Sequence, residues 1–173
     1  MDPHFSPIQS LRNLGATIDV EATQEGVPVP VGAMEMTARL IPHGRYSAVG
    51  YRLEDDNSGR SLVYAPDAGY IDGEPSPQVL ELYRDTTVLI HDCTFSAEDQ
   101  AQRRARGHSS IADAARVAAA CSVSRLVMFH YDQDYEDDTV DRLERRCREL
   151  LDREPGGGRV QLTAAREGLT LEL

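Results

Sequence analysis

No stretch of this 173-residue chain approaches the roughly 20 consecutive apolar residues that a membrane span requires. The opening Met1-Asp2-Pro3-His4 lacks the basic and apolar regions of a secretory signal, so the sequence reads as cytoplasmic. Lysine is absent: all 18 basic residues are arginine, set against 29 acidic ones for a net charge of −11. A grip on nucleic acid comes largely from neutralising phosphates, and a field of this sign repels a polyanion, so nucleic-acid binding is unlikely on charge. Cysteine is scarce as well. Cys93, Cys121 and Cys147, at spacings of 28 and 26, form neither a disulfide framework nor a paired zinc motif and read as free thiols. No linker or internal repeat interrupts the chain, which reads as a single domain over 1–173.

What is present divides by periodicity. From Gly15 to Ile90 the apolar residues fall in short β-rich runs at Ala16–Val20, Ala33–Ile41, Ala48–Leu53, Ser61–Tyr64 and Thr87–Ile90, separated by Gly, Pro and Asp/Asn clusters. Asn57-Ser58-Gly59 between two of these runs predicts a hairpin, because Asn and Gly accept the positive φ of tight turns. Glu74–Leu82 predicts a short helix. From Ser96 the period turns helical, with Ile111, Ala114, Ala115, Ala118 and Ala119 on one face behind a Ser109 or Ser110 cap. Ser124–His130 predicts a strand buried on both faces, Asp137–Leu151 an amphipathic helix, and Arg159–Leu162 with Leu169–Leu173 a terminal hairpin. A β-meander followed by helix, strand and helix is a layered α/β unit.

Residues of metal-ligand type gather at strand ends. His43 follows one strand, Asp67 another, and His130 closes the buried one, positions that line ligand crevices in layered α/β folds. Imidazoles with a carboxylate suit zinc, iron or manganese, although each residue alone also reads as a solvated turn or cap. His108 precedes a helix N-terminus, where it could meet an anion or simply belong to the cap. His91 and Asp92 end a further strand and should point to opposite faces, with Asp92 able to orient a histidine or to cap the Ser96 region. His4 reads as inert. The arginines at 103, 104 and 106 and at 142, 145, 146 and 148 read as solvated helix faces paired with Asp141, Glu144 and Glu149, and no cysteine has a cation beside it to make it a nucleophile.

Five segments in order carry a resemblance: Ile41-Pro42-His43-Gly44-Arg45-Tyr46, Val63-Tyr64-Ala65-Pro66-Asp67-Ala68-Gly69, Leu89-Ile90-His91-Asp92-Cys93-Thr94-Phe95, Gly107-His108-Ser109-Ser110 and Leu126-Val127-Met128-Phe129-His130. Over roughly residues 1–145 the chain resembles the metallo-β-lactamase-fold hydrolases, and within them the ribonuclease Z and phosphodiesterase-like group. The resemblance implies that His43 ligates one metal, that Asp67 bridges two, and that His130 ligates the other. It gives His108 contact with the scissile phosphate and help to the leaving group, with Asp92 supporting the site from behind. The implied reaction is hydrolysis of a phosphodiester or related ester by hydroxide activated on paired zinc ions, or on manganese or iron.

One motif of that family is missing. The His-x-His-x-Asp-His ligand stretch does not occur here, and the only histidine before His43 is His4. The sequence therefore matches the C-terminal half of an αβ/βα sandwich. With Asp67 counted twice, about two protein ligands would remain per metal against the three or more of enzyme zinc sites, so the chain alone should hold metal weakly or not at all. One face of its sheet should be left bare. The partners this implies are a missing N-terminal half, a second copy or a separate chain, together with a small phosphoester substrate. The alternative is a catalytically inactive half-fold, serving as an interaction module or surviving as a gene remnant.

Overall fold

The computed structural model describes residues 17–70, 74–99 and 106–173. Among the described residues seven strands form one sheet in sequence order: β1 (Val29–Val31), β2 (Met34–His43), β3 (Tyr46–Asp55), β4 (Arg60–Ala65), β5 (Val88–Asp92), β6 (Arg125–Phe129) and β7 (Gln161–Ala164). The first four pair antiparallel as a meander, and β4 to β7 pair parallel. Parallel neighbours need crossovers, and among the described residues three helices supply them: α1 (Pro77–Tyr83), α2 (Ile111–Ala120) and α3 (Asp137–Leu151).

Local chemistry explains the boundaries. Gly59, at φ 67°, closes the β3–β4 hairpin. Ser76 caps α1 with Pro77 in the first turn, where its missing N–H costs nothing. Ser110 caps α2 in a reciprocal capping box with Asp113. Arg52 reaches from β3 to the carbonyls of Leu82 (3.0 Å) and Arg84 (2.9 Å), a cation placed at the C-terminus of α1.

The helices pack on one face of the sheet. Ile41, Val63, Ala65, Leu89, Leu126 and Met128 point into that layer and join Val79, Leu82, Ile111, Ala115, Ala118 and Leu151 in a single core. On the opposite face Val31, Leu40 and Val49 are exposed, Leu53, Leu62, Tyr64, Ile90 and Phe129 are half-buried, and no helix among the described residues covers them. Among the described residues the bare face expected from the sequence is present over β1–β3, whereas Val88 and Val127 on the same face are buried.

The sequence reading needs three corrections. Leu169–Leu173 forms no hairpin: β7 adds parallel to β6 through the α3 crossover, so 159–162 has its partner already. Residues 17–20 are not a strand, while Val29–Val31, interrupted by Pro30 and too short to show a period, is one. Within α3, Arg146 pairs with Glu149 (2.7 Å) as expected, but Arg148 pairs with Asp152 (2.9 Å) and Asp141 with Arg166, while Glu144 accepts from the Ala164 N–H (2.9 Å). His4 and the arginines at 103 and 104 lie outside the described residues.

Candidate metal centre and active site

The ends of β2, β4, β5 and β6 and the turn before α2 converge at one edge of the sheet. His43 closes β2, Asp67 follows β4, Asp92 closes β5, His108 precedes the α2 cap and His130 follows β6. The ring of His108 stands 4.8 Å from that of His43 and stacks 4.9 Å from that of His130. Asp67 Oδ1 lies 3.2 Å from His130 Nε2. Potential ligand atoms of His43, Asp67 and His108 all fall within 4.8 Å of one another, as do those of Asp92, His108 and His130. Asp67 thus lies close to both His43 and His130.

The tautomers follow from the partners. Gly107 offers His43 a carbonyl 2.6 Å from Nδ1, so Nδ1 carries the proton and Nε2 keeps its lone pair. The Nδ1 of His130 meets Thr94 Oγ1 at 3.2 Å, which turns its Nε2 toward Asp67. A histidine whose Nδ1 donates to the protein is poised to ligate through Nε2. An imidazole lone pair facing a carboxylate oxygen at 3.2 Å repels it unless a cation or a proton lies between. Two ligands on one tetrahedral zinc stand about 3.3 Å apart, given bonds of about 2.0–2.1 Å, so His130 and Asp67 fit a shared ion.

Asp92 is engaged differently. Its carboxylate is fully buried and both oxygens are occupied: Oδ1 accepts from the Thr94 N–H (3.0 Å) and hydroxyl (2.7 Å), and Oδ2 from His108 Nδ1 (2.7 Å). That hydrogen bond holds the His108 pKa above its ordinary value, against the opposing effect of partial burial. Arg106, Tyr131 and Asp132 wall a cavity of about 320 Å3 that opens beside His108 and His130. His91 points into the helix layer with its pKa held down by burial, so the two neighbours do face opposite ways. The thiols stay protonated, burial raising Cys121 to about 11 and Cys147 to about 12.

Glycine makes the convergence possible. A Cβ on Gly69 would lie 2.0 Å from the Gly107 carbonyl oxygen, and one on Gly107, at φ 85°, would lie 2.7 Å from the Gly44 nitrogen. Three backbones cross here with no side chain between them, tied by Gly69 N–H to Pro42 O (2.8 Å) and by Ser109 Oγ to Ala68 O (2.5 Å).

A family model described as the beta-lactamase superfamily domain matches residues 2–131. The chain belongs to that superfamily. Among curated sequences this superfamily member is similar to ribonuclease Z of Kineococcus radiotolerans, with 29% identity over 79% of this chain and 56% of that one. It is also similar to ribonuclease Z of Brevibacillus brevis, with 34% identity over 80% of this chain and 43% of that one. The fold is that of the metallo-β-lactamases. The metallo-beta-lactamase fold protein YhfI from Bacillus subtilis aligns at TM-score 0.67 and 19% identity, over 86% of this chain and 54% of its own. The short form of human tRNase Z aligns at 0.61 and 19%, over 83% and 45%. The chain spans about half the length of the curated relatives it matches.

The expected residues His43, Asp67, His108, His130 and Asp92 are therefore all brought to one edge, with Asp67 close to both His43 and His130. Thr94, Gly69 and Gly107 are given no role of their own in the sequence reading and Ser109 only that of a possible cap, yet they hold the site. Only Thr94 left a signal: a hydroxyl residue two positions after Asp invites the local side-chain bond seen here.

Proposed function

We propose that this chain is the C-terminal part of a metal-dependent hydrolase of phosphodiesters or related esters, and that it carries the acid catalyst. The observation behind this reading is the buried Asp92 bonded at 2.7 Å to His108, whose ring stands between those of His43 and His130. His43, Asp67 and His130 would hold one or two divalent ions, with zinc, manganese and iron all suited to the donor set. A bound ion would supply Lewis-acid polarisation of the ester and acidification of an attacking water. His108 is the catalytic residue that this chain contributes: Nδ1 is committed to Asp92, which leaves an Nε2 proton to pass to the departing oxygen. Such assistance is worth roughly 10²–10⁴-fold in rate. Asp92 positions His108 and stabilises its charged form.

The remaining ligands come from outside this sequence, on an N-terminal half, a separate chain or a second copy that would cover the bare sheet face. A net charge of −11 favours a small phosphoester over a polynucleotide. RNA is the competing substrate, because the relatives named above are ribonucleases. The exposed Leu40 and Val49 favour the alternative role of an inactive interaction module.

Elemental analysis of the purified chain in excess zinc, beside His130→Ala, is the first test. It is followed by hydrolysis of bis(p-nitrophenyl) phosphate and of RNA, with and without a covering half supplied in trans. Zinc lost in the variant and diester hydrolysis restored by the added half support the hydrolase. Equal metal content in both proteins, with no hydrolysis in any mixture, leaves the interaction module.

A further inference from the structure

Beneath the candidate site, on the helix side of the sheet, lies a polar cluster that the chemistry above does not use. Tyr70 Oη stands 2.9 Å from His91 Nε2 and 3.0 Å from Tyr83 Oη, and His91 Nδ1 stands 2.8 Å from the Asp92 carbonyl oxygen. All three side chains are at most 3% exposed. Buried polar groups of this kind cost stability unless every one is satisfied, so the arrangement of protons is constrained.

That arrangement can be worked out from the acceptors. A carbonyl oxygen only accepts, so the Nδ1 of His91 carries a proton. In a fully buried, uncharged ring Nε2 then accepts, and the Tyr70 hydroxyl must donate to it. Tyr70 also has the geometry to donate to Tyr83, so its one hydrogen serves both His91 and Tyr83. The cluster links Tyr83, Tyr70, His91 and the Asp92 carbonyl in one chain.

Each member sits on a different element. Tyr83 ends α1, Tyr70 lies three residues after Asp67, and His91 precedes Asp92 on β5. The parallel pairing of β4 with β5 ends at Ala65 opposite His91. The Asp92 carbonyl lies one residue beyond, facing β4 by the alternation of the ladder, and the His91 ring stands in for the absent ladder donor.

We propose that His91 is a positioning residue: through Tyr70 and Tyr83 it fastens the loop bearing Asp67 to the strand end bearing Asp92, and so fixes the bond between Asp92 and His108. This goes beyond the hydrolase reading, since it concerns what holds the Asp92–His108 bond and is read on the chain's own rings. Tyr70→Phe removes the central link with little change of shape. Tyr83→Phe removes only the outer link. Val79→Ala truncates the same helix layer without touching a polar atom, and so reports on destabilisation alone.

The test is proton–nitrogen correlation of the histidine rings in the metal-free chain, with hydrogen exchange read alongside. In the wild type, His91 should give a neutral ring protonated on Nδ1, and His108 a protected Nδ1 proton. Tyr70→Phe should mix the His91 tautomers and speed exchange of the His108 ring proton about tenfold, the loss of one net hydrogen bond. Tyr83→Phe should do so to a smaller degree, and Val79→Ala should leave both rings unchanged. A Tyr70→Phe spectrum in which His108 keeps its wild-type exchange overturns the proposal, as does a His91 protonated on Nε2 in the wild type. Failure of the hydrolase reading would instead appear as absent zinc binding and hydrolysis, with these spectra intact.

Discussion

Asp67 Oδ1 and His130 Nε2 face each other across 3.2 Å, the spacing of neighbouring ligand atoms on one metal ion. His130 is held there in the left-handed region, at φ 59°, with Thr94 Oγ1 2.7 Å from its carbonyl oxygen. A non-glycine residue in this conformation is rare enough to demand a compensating contact. Zinc titrated into the chain should therefore raise its unfolding midpoint, by an amount equivalent to about 2.7 kcal/mol when the ion stands at about 100 times its Kd. Asp67→Asn and His130→Ala should each weaken zinc binding about tenfold or more by calorimetry, and a chelator should abolish the shift in the midpoint. Equal affinity in wild type and both variants would remove these residues from the site.

The glycine crossing makes a second, purely structural prediction. Alanine at Gly69 would place its methyl 2.0 Å from the Gly107 carbonyl oxygen, and backbone cannot swing aside as a side chain can. Alanine at Gly107 meets backbone at 2.7 Å and is also strained by φ 85°. Each substitution should lower the urea midpoint by the equivalent of about 2–3 kcal/mol. Gly158→Ala, where an added Cβ meets nothing within 4 Å, should be close to neutral. A tolerated Gly69→Ala would mean that the loops bearing His43, Asp67 and His108 are not packed backbone to backbone.

Two histidines should shape the dependence of stability on pH in opposite senses. The bond to Asp92 raises the pKa of His108 above its ordinary 6.5. Below 6.5 this group is protonated folded and unfolded alike and its stabilisation is complete; as pH climbs through the raised folded value the proton leaves and the stabilisation is lost. Burial lowers the pKa of His91. Above 6.5 it is neutral in both states, whereas at lower pH the unfolded chain takes up a proton that the folded one resists, and stability falls. The metal-free chain should accordingly be most stable near pH 6.5. In urea titrations between about pH 5.5 and pH 8.5, His108→Gln should flatten the alkaline side and leave the acid side sloping. An alkaline slope that survives His108→Gln would show that the Asp92–His108 pair does not control it.

Much of this was legible in the sequence, for identifiable reasons. Ser110 with Asp113 announces a helix start, Asn57-Ser58-Gly59 a hairpin, and the apolar run from Leu126 to Met128 a strand buried on both faces; all three depend on neighbours in the chain. His43, Asp67 and His130 could be named because strand ends are visible from the runs that precede them. What the sequence conceals is contact across long separations. Nothing near Gly69 indicates that Gly107 will lie against it, and nothing near Tyr70 indicates His91 as its partner. Leu169–Leu173 misleads for a related reason: alternation marks a strand-like segment without saying whether an edge is free to receive it, and β7 had already added to β6.

The bare sheet face yields the last prediction. Leu40 is 52% and Val49 38% exposed, and they sit opposite each other on β2 and β3. Cross-strand apolar pairs open to water invite association, whereas their burial adds little to this chain on its own. Leu40→Glu combined with Val49→Glu should convert concentration-dependent association into a monomer in sedimentation velocity, while the thermal midpoint changes little. The same double variant should no longer be complemented by a covering half in the diester assay, because a charge pair on this face meets an apolar layer at a desolvation cost of several kcal/mol per ion. If complementation survives with wild-type efficiency, the second half does not dock on the β2–β3 face, and the ligands missing from this chain reach His43 and His130 by another route.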